Sequence, residues 1–477
     1  MTKSQVTIPL FKIEQSNKND FTANSGMFLM AELIKKLGII EKLTRLNIFQ
    51  RKKIGEAVHI LTLIINQQTG GDAIVDTQYV KKDGALRTLF DDMHIPAPHT
   101  SGDFLERFTE ESVERLRTIL HKMQDKQLKK LAKRFSRKII ISLDSSVYEV
   151  YGNCKENSST SYKNIFGYHP LLLHIHNTGE LLDIIFRTGS DFTSTGANDM
   201  LRYNIQRLKP FFDEIILLTD AGFFEKSIID VCEECSINFI ITSETNPPIR
   251  RQLTDKGLVW REPQEQKKQE DKPVKHRDSH TFNYRLESLK KSLRKRNKHL
   301  KMKGQLEAVE FNHTVPSWGR EYRFVYKRRQ IIIHDLSKQT DLFEKTDEYF
   351  YHGYVTNIYD KGVEDIIQLI DSRGHQENFI KDFKNGLGTV HIPTKHFFGN
   401  YAYFLISMLS WNLKYWLLYI IDPGLNIYWK RFRYLFIKVG AQVVKSGKYV
   451  VIRFGKNFGR VYEFMDWHKR LCQASIE

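Results

Sequence analysis

The sequence predicts an α/β fold on a mixed sheet, with a helical region ahead of it. Two observations carry this. Apolar, β-favouring runs that each end in aspartate, KIIISLD (138–144) and EIILLTD (214–220), sit within a β-β-β-α-β-α-β order. The flanking stretches, 1–135 and 397–421, instead repeat apolar residues at helical spacing.

The elements follow in order. FLMAELIKKLGIIEKL (28–43) and IGEAVHILTLIINQ (54–67) read as apolar helices, the first with a stop at Gly38. Residues 101–135 read as one or two charged helices capped by Ser101. After the strand 138–144 comes a Ser- and Asn-rich loop (152–164). Two strands follow, HPLLLHIHN (169–177) and LLDIIFRTG (181–189), joined by a tight turn at Thr178–Gly179. A helix at 195–210, the strand 214–220, a helix at 223–235 and the strand 237–243 complete the pattern. Three antiparallel strands first, then two more separated by helices, is the order of a ribonuclease H-like core. Such a sheet makes the strands of Asp144 and Asp220 neighbours, and ligands gather at the carboxyl ends of parallel strands.

The pattern breaks over 244–347, where a charged low-complexity run precedes strands at 306–315 and 321–335. The core resumes with a strand at 348–357 and one long helix over 363–385. Five regions are therefore expected: a helical N-terminal DNA-binding region (1–135), the first part of the core (136–243), a basic β-rich insertion (244–347), the second part of the core (348–395) and a helical, basic accessory region (396–477).

Charge narrows the partner. The chain of 477 residues carries a formal charge of +17. Residues 261–303 hold 15 Lys/Arg against 6 Asp/Glu, and 423–477 hold 11 against 3, so these two stretches account for the whole excess. Clustered positive charge fits a polyanion, and nucleic acid is the commonest one. Four cysteines are too few for a disulfide framework and point to a reducing compartment. The pair Cys232–Cys235 has ligand-like spacing, but it falls in a helix with no second pair to complete a zinc site. No signal peptide is apparent, and the apolar run 401–421 carries Asn412 and Lys414, which favours a buried core helix over a membrane span.

Three acids carry the chemistry: Asp144, Asp220 and Glu377. With Arg373 at zero on a helical wheel, Glu377 falls near about 40° and Lys384 near about 20°, while Asp371 and Asp382 fall roughly opposite. Ile380, Phe383 and Leu387 lie beside this stripe, so it faces the core, where an acid between two cations calls for a metal and a phosphate. Two strand-end carboxylates plus one on a helix suit a pair of Mg²⁺ ions, with Mn²⁺ as a substitute, beside a DNA phosphodiester. Arg373 and Lys384 are the phosphate-binding candidates. His169, His174 and His176 are expected to be hydrogen-bonded strand histidines, since no acid or Cys completes a metal set.

At these residues the chain resembles the DDE transposases of bacterial insertion sequences, in particular the insertion-sequence family numbered thirteen-eighty. SLDSSVYEVYG resembles the first-Asp strand, LLTDAGFFEKSIID the second-Asp segment, and SRGHQENFIKDFKNGLG the third-acid helix. In that helix Arg373, Glu377 and Lys384 keep the spacing of a Y-x2-R-x3-E-x6-K signature, while Ile370 stands where the tyrosine would be and Ser145–Ser146 replace acidic residues after the first Asp. The resemblance implies a cytoplasmic, nucleoid-associated enzyme with no membrane partner. It implies binding of terminal inverted repeats and target DNA, and cleavage and strand transfer as a dimer or higher multimer. It also implies a β-rich insertion whose Trp, here Trp318, stacks on a flipped base. The alternatives are a metal-dependent nuclease and a catalytically silent DNA-binding descendant.

Overall fold

The computed structural model describes residues 18–49, 53–255, 257–263, 290, 292, 298–335 and 346–474. For 298–304, 332–335, 346–348 and 375–377 it describes the backbone alone. The low-complexity run at 264–289 lies outside the described residues. The chain forms two compact units, residues 1–101 with 419–476, and residues 102–418.

The first unit is mainly helical. Helices Met27–Lys36 and Glu56–Thr69 bury their apolar faces. The basic C-terminal stretch is not a plain tail, because Ala441–Ser446 and Tyr449–Phe454 pair as a hairpin on Phe21–Thr22, and Val461–Gln473 is a helix. Some of its cations serve packing. Arg433 is buried and donates to the carbonyls of Gln67 and Gln68, and Arg460 donates to that of Leu435.

The second unit holds the site. Its strands are β1 (Lys138–Ser145), β2 (Leu171–Ile175), β3 (Leu181–Ile185), β4 (Glu214–Thr219), β5 (Asn238–Ser243), β6 (Lys298–Val315), β7 (Arg320–Asp335) and β8 (Thr346–Thr356). They form one sheet in the order β6-β7-β8-β5-β4-β1-β2-β3. β1, β2 and β3 pair antiparallel, whereas β4 and β5 run parallel to β1. This is a mixed α/β architecture. The strands between 298 and 356 extend the same sheet antiparallel from β5 rather than standing apart from it.

Helix α1 (Glu110–Arg134) belongs to this unit, so the boundary lies near residue 101 and not at 135. The reason is a buried carboxylate. Asp183 on the edge strand β3 accepts from Arg117 Nε at 2.9 Å and Asn204 Nδ2 at 2.7 Å, and lies 3.1 Å from His121 Nε2. Arg117 and His121, one turn apart on α1, therefore anchor that helix to the sheet. Asn204 comes from α2 (Ala197–Leu208). Helix α3 (Lys226–Glu234) connects β4 to β5. The Ser- and Asn-rich loop also differs from expectation, since it contributes Ser159–Thr160 to a small three-stranded sheet with the flanking Tyr148–Glu149 and Phe166–Tyr168.

The long helix expected over 363–385 is two helices, α4 (Val363–Asp371) and α5 (Gly374–Gly386). They have different anchors. Ile366, Ile367 and Ile370 of α4 join a cluster with Ile216, Leu218 and Ile240 under the sheet. Phe383 of α5 instead packs on Trp411 of α6 (Phe397–Ile421) at 5.5 Å. Between them the Ser372 hydroxyl bonds to the Leu369 carbonyl, a local side-chain bond that bends helices.

Helix α6 is long and apolar enough to span a membrane, yet 89% of its apolar window is buried in the protein. Its polar residues have partners there. Asn412 accepts from Leu181 N at 2.9 Å and donates to Leu181 O at 2.8 Å, completing the edge strand β3. Lys414 lies 4.0 Å from Asp382 and over the Tyr415 ring. Asn412→Leu is isosteric and better suited to an apolar helix, yet it leaves the Leu181 N–H unpaired. It should cost about 2–3 kcal/mol in urea unfolding.

Candidate active site

The site begins with backbone pairing. β1 and β4 are parallel neighbours in a register that aligns Leu143 with Thr219. Asp144 is the next residue on β1, and Asp220 immediately follows β4, so the two acids stand side by side at the carboxyl end of the sheet. Asp144 Oδ1 accepts from Ser145 N at 2.7 Å, and Asp220 Oδ1 from Gly222 N at 2.9 Å. These short turns fix one oxygen of each carboxylate.

The second oxygens face a cation. Arg373 Nη2 lies 3.1 Å from Asp144 Oδ2 and 3.9 Å from Asp220 Oδ2, with the arginine side chain only 6% exposed. Arg373 stands immediately before α5, at the break from α4. Lys384, three turns on, donates to the Val147 carbonyl and lies over the Tyr148 ring at 4.1 Å. Arg373 thus reaches the end of β1, and Lys384 the residues just after it. The backbone of Glu377 lies in α5 between them, and its side chain is outside the described residues.

The competing acids have other partners. Asp371 receives Lys327 Nζ at 2.7 Å and the Tyr354 hydroxyl at 3.1 Å, and Asp382 faces Lys414. Ile370, in the signature's tyrosine position, is buried in the cluster beneath the sheet and does not line the site.

A loop that the sequence did not mark supports both acids. Arg187 is buried, and its guanidinium donates to the carbonyls of His169, Phe192, Thr193 and Thr195. His169 in turn bridges Ser145 Oγ, at 2.8 Å, and the Asp191 carbonyl. On the other side, a Cβ at Gly222 would meet the Thr193 methyl at 2.8 Å. The loop 188–196 therefore touches the turn after Asp220 directly and reaches the residue after Asp144 through His169. A buried arginine after a strand, ahead of a Gly/Ser/Thr loop, was the available signal.

The histidines divide. His176 Nε2 pairs with Ser372 Oγ at 2.8 Å, while His174 is fully buried with both ring nitrogens unpartnered, contrary to expectation. Burial pushes His174 down to about 3, so it stays uncharged near Arg373. Trp318 is not brought to the carboxylates. Its ring rests on Phe224, four residues past Asp220, and on Tyr322.

Asp144 and Asp220 supply hard oxygen donors of the kind Mg²⁺ takes, converging on one point of positive charge. Among the described residues no group of three acids, histidines or cysteines is gathered as a metal set, Cys232 and Cys235 included.

The profile of the transposase DDE domain group 1 family matches residues 14–476. The chain belongs to that family. A search of curated proteins finds no relative. Among solved structures, the cryo-EM structure of a piggyBac transposase synaptic complex with hairpin DNA is similar over 88% of this chain and 80% of that one. At 11% identity and a TM-score of 0.37, that likeness is too loose to assign any feature of this transposase.

Burial pushes Lys384 of the transposase down to about 8, with Lys163 adding to the effect and Asp144 opposing it. A lysine whose folded pKa lies below its unfolded 10.5 destabilises the fold most below about pH 8. That penalty is relieved as pH rises through the window from 8 to 10.5. Urea unfolding should show stability rising less with pH between about 7.5 and 9.5 in Lys384→Met than in wild type.

Proposed function

We propose that the protein is a bacterial insertion-sequence transposase that binds terminal inverted repeats and carries out Mg²⁺-dependent DNA cleavage and strand transfer. The observation that carries this reading is the pairing of Asp144 with Asp220 at adjacent parallel strand ends, facing Arg373 of the signature segment. The strand order β3-β2-β1-β4-β5 is that expected of a ribonuclease H-like core, which supports it further.

Asp144, Asp220 and Glu377 would hold the metal pair. When bound, the ions would activate water or a 3′-hydroxyl and stabilise the departing 3′-oxygen. The chain's own residues supply positioning. The Ser145 and Gly222 amides fix one oxygen of each Asp, leaving the other turned inward. Lys384 places a point charge beside the β1 end for the scissile phosphate, and Arg373 offers a planar fork. The helical first unit is the proposed reader of the repeats. Two element ends must meet in one complex, so a dimer is the smallest assembly expected. A base-stacking role for Trp318 requires its ring to leave Phe224 and Tyr322.

The test is an assay with DNA carrying the inverted repeats that flank the gene, with Mg²⁺ present. Wild type should release a 3′-hydroxyl and join it to target DNA. Asp144→Asn, Asp220→Asn and Glu377→Gln should each lose both products by on the order of a thousandfold while still binding the repeats. Cleavage without joining would favour the nuclease, and binding without cleavage the silent descendant. Full activity in Glu377→Gln would remove it from the site.

A further inference from the structure

We propose that Arg373 is a resident counterion of the unloaded site, one that divalent metal must displace from Asp144 and Asp220. This rests on the metal-binding reading of those two acids. Two carboxylates side by side and partly buried repel one another unless a cation lies between them. Arg373 supplies that cation, with one guanidinium nitrogen 3.1 Å from Asp144 Oδ2 and 3.9 Å from Asp220 Oδ2. It faces the oxygens that the Ser145 and Gly222 amides leave unused, which are the donors a metal needs. Arginine and metal therefore compete for the same atoms.

Few hydrogen bonds hold the guanidinium in place. Its Nε is buried without a hydrogen-bond partner, so the group is not locked by a full set of bonds. His174 nearby is buried and accepts nothing from it. The arginine stands at the junction of α4 and α5, beside Ser372, which His176 holds. Arg187 also leaves one nitrogen, Nη2, unpartnered, but its other nitrogens bond to four carbonyls, a hold that Arg373 lacks. A guanidinium released by the metal is available to a DNA phosphate, for which its fork is suited. One side chain thus couples metal entry to phosphate binding, with each favouring the other.

Mn²⁺ titration of the full-length protein without DNA, followed by the electron paramagnetic resonance of free Mn²⁺, tests this. Arg373→Gln should bind Mn²⁺ roughly tenfold more tightly than wild type, because one charge-assisted bond no longer has to be given up. Arg373→Lys, too short to span both acids, should fall between. Mn²⁺ should also raise the melting temperature more in Arg373→Gln than in wild type. Equal or weaker Mn²⁺ binding in folded variants would overturn the proposal.

Should both variants fail to fold, phenylglyoxal labelling of the wild type read by peptide mass spectrometry decides instead. Arg373 should label faster with Mn²⁺ present, and an unchanged rate would overturn the proposal. Asp144→Asn separates the two levels. If it abolishes Mn²⁺ binding while Arg373→Gln fails to tighten it, only the counterion role falls. If it leaves Mn²⁺ binding intact, the metal-site reading falls as well.

Discussion

The parallel pairing of β1 with β4 is the constraint on which the rest depends. Its register from Lys138–Glu214 to Leu143–Thr219 brings Asp144 and Asp220 to one end of the sheet. Antiparallel pairing would have sent them to opposite ends. Having met, the two acids repel, and the structure must compensate. It does so with amide donors behind each carboxylate and with Arg373 in front. The amide contacts are local to each acid, whereas the Arg373 contacts span residues that only the fold brings together.

Around this pair the structure uses buried polar groups as fasteners. Arg187 ties down the loop that touches the Asp220 turn and, through His169, the residue after Asp144; Asp183 ties α1 and α2 to the edge strand, and Asn412 ties α6 to the same strand. The edge strand β3 thereby carries an attachment on each side. Gly179, at the β2–β3 turn, has a φ of +87°, and a Cβ there would meet the Phe379 ring of α5 at 3.1 Å. The helix carrying Glu377 thus rests on the turn of the strands that support Asp144. The ends of β1 and β4, braced by the loop 188–196, set the positions of the two aspartates.

Much of this was legible in the sequence because the signals are local. The strand-ending aspartates follow from a period of two residues and the turn at Thr178–Gly179 from its residue types. Asp371 and Asp382 were set aside on angle alone, and in the structure they pair with Lys327 and Lys414. What was not legible depends on contacts distant in sequence. The break at Ser372 arises because α4 packs under the sheet and α5 on α6, two partners that periodicity cannot name. Helix α1 reads as a charged N-terminal helix until Asp183, 66 residues beyond Arg117, claims it for the sheet. Arg373 reads as a phosphate ligand, and only the fold shows it lying against the carboxylates.

The central claim is that Asp144 and Asp220 form a divalent-metal site which Arg373 fills until metal enters. Anomalous diffraction from crystals of the full-length protein soaked in Mn²⁺ tests it most directly. The account predicts an anomalous peak bounded by the Asp144 and Asp220 carboxylates, with the Arg373 guanidinium moved away from both. A saturating soak that leaves Arg373 against Asp144, with no peak between the two acids, would contradict it.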